Sequence, residues 1–123
     1  MKVNLSDGEW KLMNKLWEGA PMTITQLTAA LQPETGWGKH TVITMLSRLE
    51  DKGAVEHDGR TPKGYSPTLR QEDAARSETR SFLDKVYGGR LGLMMSAMVD
   101  ARALSQEDID ELTAILEKAK EGD

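Results

Sequence analysis

Residues 37–53, WGKHTVITMLSRLEDKG, carry the residue types and spacing most able to do chemistry. Val42, Met45, Leu46 and Leu49 recur at helical spacing and would lie within an arc of about 100°. The opposite side is made of His40, Thr44 and Ser47, with Ile43 and Arg48 flanking them. Solvent faces are ordinarily filled by long charged side chains, whereas Thr and Ser form helices less well and an exposed Ile is disfavoured. Short side chains let a helix come close to the floor of a groove. Their hydroxyls can pair with base edges, and an Ile or Thr methyl can meet the methyl of thymine. Lys39, Arg48 and Lys52 stand at the margins, where they would reach phosphates and position the helix without reading sequence. The plainer alternative is a solvated face with one stray isoleucine.

The elements around this helix decide between the two. Ser6 with Glu9 forms a capping box ahead of Trp10, Met13, Leu16 and Trp17, so a first helix is expected up to Gly19-Ala20-Pro21. Met22 reads as a short extended piece and Thr23 as the N-cap of a second helix over Ile24–Leu31, after which Pro33, Gly36 and Gly38 interrupt the chain. Gly53 suits the left-handed position that closes the third helix. Val55 and Tyr65 then flank Asp58-Gly59, Pro62 and Gly64, the turn chemistry of a hairpin. Three helices followed by a two-stranded hairpin is the order of a winged helix-turn-helix. Arg60 and Lys63, near the hairpin tip, would lie along a phosphate strand or in the minor groove. His57 reads as a surface residue of the wing.

Beyond Thr68 the pattern is purely helical. Leu91, Leu93, Met94, Met95, Met98, Val99 and Leu104 crowd together, and Ser105 with Asp108 opens a last helix striped by Ile109, Leu112, Ile115, Leu116 and Ala119. Some fifty residues cannot build a self-sufficient core, so this apolar surface needs a cover. A second copy is the simplest one, since a symmetric patch covers itself. Phe82, Val86, Leu91, Met94, Met95, Met98, Leu112, Ile115 and Leu116 are the expected dimer contacts. The fold class is therefore mainly α with a small β-hairpin wing: a winged helix-turn-helix DNA-binding domain over residues 1–70 and a helical dimerisation region over 71–123.

Composition bounds the alternatives. Net charge is −4, yet residues 1–70 hold nine Lys/Arg against eight Asp/Glu and residues 71–123 seven against twelve. The acid is thus concentrated away from the helix that would meet DNA. The absence of cysteine excludes disulfides, zinc-thiolate sites and cysteine nucleophiles. No Gly-rich phosphate loop, HExxH or GxSxG occurs, and the acidic pairs look like caps and solvated faces. No enzyme, metal or cofactor is expected. The N-terminus MKVNLSDGEW lacks the apolar core of a secretory signal, and no apolar run reaches the ~20 residues of a membrane span. A cytoplasmic protein is expected.

LSDGEWKLMNKLW, ITQLTAAL, TVITMLSRLEDKG and the tail FLDKVYGG…LSQEDIDELTAIL, in that order, resemble the penicillinase repressors of the BlaI/MecI type. The resemblance implies a homodimeric winged-helix repressor on double-stranded DNA with a palindromic operator, released in some members when a membrane sensor-protease system triggers cleavage in the dimerisation region. Family recognition helices commonly carry Lys, Thr, Arg and Thr where this chain has His40, Thr41, Ile43 and Thr44. The arginine missing at Ile43 would remove a guanine contact worth about 1–3 kcal/mol of discrimination. The family's susceptible Asn-Phe bond corresponds to Ala97-Met98. The competing reading keeps the winged fold but turns Ile43 and its neighbours toward another protein, as an interaction adaptor without sequence-specific DNA binding.

Overall fold

A computed structural model describes residues 4–122; residues 1–3 and 123, the outer ends of the two expected regions, lie outside it. The first element is α1 (Asp7–Gly19), capped by Ser6 with the full reciprocal box to Glu9. The second is α2 (Ile24–Thr35), capped by Thr23, whose hydroxyl accepts from Gln26 while the Gln26 side chain takes the Thr23 N–H. Then follow α3 (Lys39–Asp51), β1 (Val55–His57) and β2 (Tyr65–Pro67).

One boundary departs from expectation. Pro33 does not end the second helix, which runs on through Thr35. A proline within the final turn forfeits a single intrahelical bond, to the carbonyl of Ala29, and the chain recovers others nearby. Gly36 N–H reaches Gln32 O at 3.0 Å, and the Thr35 hydroxyl donates to Leu31 O at 2.7 Å. Gly53, at φ +78°, takes the left-handed position after α3, as its type suggests.

The core lies among α1, α2, α3 and the hairpin. Leu12, Met13, Leu16, Leu27, Leu31, Val42, Leu46 and Leu49 are all fully buried there. Burying one such side chain contributes about 2 kcal/mol. The strands pair antiparallel with Val55 opposite Pro67, Glu56 opposite Ser66 and His57 opposite Tyr65. Met22 adds one more rung, exchanging both backbone hydrogen bonds with Tyr65 at 3.0 and 2.8 Å. The extended residue between α1 and α2 thus belongs to the sheet.

The remaining helices are α4 (Gln71–Tyr87), α5 (Leu91–Asp100) and α6 (Gln106–Glu121). Gly88 and Gly89, both at positive φ, end α4, and Ser105 with Asp108 caps α6. The chain divides into two compact units, one up to Thr79 and one from Arg80, so α4 begins in the first and ends in the second. Ala74 belongs to the core of the first unit. In the second, Leu83 is the single buried hydrophobic residue among those described. Phe82, Val86, Leu91, Ile115 and Leu116 are exposed, while Met94, Met95, Met98 and Leu112 are half-buried, the last three lining a cleft between α5 and α6. Among the described residues no helix is long and apolar enough to cross a membrane.

Candidate nucleic-acid interface

α3 presents the face that its sequence implies. Val42, Leu46 and Leu49 are buried, Met45 is half-buried, and Lys39, His40, Thr41, Ile43, Thr44, Ser47 and Arg48 are exposed. His40, Thr41, Thr44 and Arg48 border a shallow depression with Met45 at its floor. The Thr44 hydroxyl donates to His40 O at 2.9 Å, which spends its proton inside the helix. Outward it offers lone pairs and a methyl.

Lys52, expected at the phosphate margin, does something else. Its ammonium donates to Asn4 O at 2.7 Å and to the carboxylate of Glu9, which is only 2 % exposed. Burial alone would raise the Glu9 carboxyl. Lys52, with the backbone N–H and hydroxyl of Ser6, outweighs that and holds it below its ordinary value. Lys52 is therefore a clamp between α3 and α1. The capping-box glutamate has a second partner that local sequence does not reveal.

The wing is knit by Asp58. One of its oxygens accepts from the backbone N–H of Arg60 and of Gly64, both at 3.0 Å, and the other from Arg60 Nε at 2.7 Å. These bonds, led by the one from Gly64, hold the Asp58 carboxyl below its ordinary value. A Cβ on Gly64 would run into the Arg60 guanidinium and stand 2.7 Å from Asp58 Oδ2, so a side chain there would displace Arg60 from Asp58. Arg60 is thus folded onto the loop, while Lys63 is exposed. His57 also has a role unseen in the sequence: its Nδ1 lies 2.8 Å from Glu50 Oε2, fastening β1 to the last turn of α3. Burial, with the Glu50 charge added, raises the Tyr65 phenol beneath it.

A helix with a short polar face beside a preorganised hairpin that carries Arg60 and Lys63 is a shape suited to a duplex groove. Against known proteins, the family model described as penicillinase repressor matches residues 5–118. The chain belongs to the penicillinase repressor family. The penicillinase repressor of Bacillus licheniformis is 33% identical over 118 residues, covering 94% of this chain and 91% of that one. The methicillin resistance regulatory protein MecI of Staphylococcus aureus (strain N315) is 28% identical over 116 residues, covering 93% and 94%. Among solved structures, the Bacillus licheniformis BlaI monomeric form in complex with the blaP half-operator superposes with a TM-score of 0.52 at 27% identity. That match covers 59% of this chain and 90% of the BlaI chain.

Ala97-Met98 is the bond expected to correspond to the family's susceptible Asn-Phe bond. Both residues are half-buried and sit inside α5, where Ala97 O accepts from Ala101 at 3.0 Å and Met98 O from Ala103 at 2.9 Å. A protease that takes an extended strand reaches this bond only after the C-terminal half of α5 unwinds.

Proposed function

We propose that this protein is a cytoplasmic transcriptional repressor that binds a palindromic operator as a homodimer, its residues 1–70 on DNA and its residues 71–123 joining the two copies. The exposed face of α3, with His40, Thr41, Ile43, Thr44 and Ser47 toward base edges and Lys39 and Arg48 toward phosphates, carries the reading. Support comes from the likeness to the BlaI chain of Bacillus licheniformis solved in complex with the blaP half-operator. The wing adds Lys63, and Arg60 once it is freed from Asp58.

Mobility shift against the DNA upstream of its own gene, titrated with salt, tests the proposal. Indifference between that DNA and scrambled duplex would sink it. Ser47→Glu sets a carboxylate where the helix meets the groove floor, and binding should fall about a hundredfold, roughly 3 kcal/mol. Ser47 is exposed, so the thermal melt should not move.

Asp58→Asn separates the two tasks of that side chain. The amide oxygen can still accept from Arg60 and Gly64, but the charge holding the guanidinium is gone. Arg60 then reaches a phosphate, and the slope of log affinity against log salt should steepen by about one per protomer. An unchanged slope would mean that Arg60 stays off the DNA.

The exposed Ile43, with the net acidity of the chain, is what favours the adaptor reading. That reading gains if Ser47→Glu leaves DNA binding intact while removing a protein partner.

A further inference from the structure

Ile43 is the residue on the α3 face that hydroxyl and phosphate contacts do not explain. It is 44 % exposed, and Thr44 and Ser47 beside it are exposed as well. It offers neither donor nor acceptor, so any base edge it covers loses water and gains no hydrogen bond. For the O6 and N7 of guanine, the N7 and amino group of adenine, or the amino group of cytosine, that exchange is unfavourable. The 5-methyl of thymine is the one methyl group on the major-groove edges of unmodified duplex, larger than the C5–H of cytosine, and against it hydrocarbon gains by shedding water.

Resting on the DNA-binding reading above, we propose that Ile43 is a specificity-determining residue that selects thymine at one fixed position of each half-site by contact with its 5-methyl group. The position follows from the helix. Ile43 and Glu50 share one flank of α3, roughly 20° apart. Glu50 is fastened to β1 through His57 at 2.8 Å. The selected thymine therefore lies on the wing side of the half-site, away from Thr41 and Arg48. The same flank gives Ser47, one turn on, a hydroxyl for the neighbouring base pair.

A uracil scan tests this with the full chain. Footprinting on the upstream DNA first defines the protected blocks. Each thymine in them is then replaced by deoxyuridine, which removes one methyl and nothing else. Wild-type affinity should drop about fourfold per half-site at one symmetry-related pair and stay level elsewhere. Ile43→Ala should bind the thymine and uracil duplexes equally, and Ile43→Arg should move the preference at that pair toward guanine. A flat scan, in a protein that still prefers its own upstream DNA to scrambled duplex, overturns the role of Ile43 and leaves the repressor reading standing. Discrimination that persists in Ile43→Ala overturns it too. Loss of all preference over scrambled duplex removes the repressor reading itself.

Discussion

Glutamates in place of both Ile115 and Leu116 should weaken binding to an operator of two half-sites by about a hundredfold or more, while the affinity for one isolated half-site stays unchanged. These side chains are 55 % and 62 % exposed in the single chain, so the substitution costs the protomer little. In a dimer they would be buried, and two carboxylates per copy would be driven together without partners. The effect on DNA is then one of effective concentration. A tethered second reading head meets its half-site at millimolar local concentration, and a lone protomer forgoes that gain. Sedimentation of the variant beside the wild type, with titrations on full and half duplexes, measures both quantities. A variant that still sediments as a dimer, or a wild type that never does, would remove these residues from the interface.

Lys52→Met should destabilise the first compact unit by about 2 kcal/mol, or lower its melting temperature by about 10 °C. The loss comes from Glu9, whose buried carboxylate keeps the Ser6 N–H but loses its cation. The figure is set below that of a fully buried pair because the Lys52 side chain is 37% exposed. The dependence on pH should weaken. In the wild type the folded Glu9 lies below its unfolded value, so its contribution is present above that value and is lost as pH falls through the folded one. With Lys52 gone, burial, the largest single influence, is opposed by the two Ser6 bonds alone, and the folded value rises. The stability that Glu9 loses as pH falls is then smaller. Denaturant melts over a range of acidic pH would follow both slopes. Parallel slopes in the two proteins would refute the clamp.

The two predictions draw on different kinds of information. The apolar surface around Ile115 and Leu116 is legible in the sequence, because a stripe on one helix is a local pattern. The capping boxes at Ser6 and Ser105, the left-handed Gly53 and the short polar face of α3 are legible for the same reason. The Lys52–Glu9 pair is not, since it joins residues 43 positions apart and exists only once α1 and α3 are packed. Glu50 with His57, and Met22 with Tyr65, are likewise products of packing. Arg60 is a subtler case: its position in the wing is plain from turn residues, but its capture by Asp58 depends on how the loop closes over Gly64. Pro33 misleads because a helix breaker near a C-terminus breaks very little.

The two captured cations have a consequence for how such a protein searches a chromosome. With Lys52 and Arg60 engaged, Lys39, Arg48 and Lys63 are the cations left without an ion pair around α3 and the wing, among the described residues, on a chain of net charge −4. Random duplex attracts proteins almost wholly through such charges, so the bulk genome should hold few copies and leave most in solution. A small cellular pool then suffices to keep a target occupied.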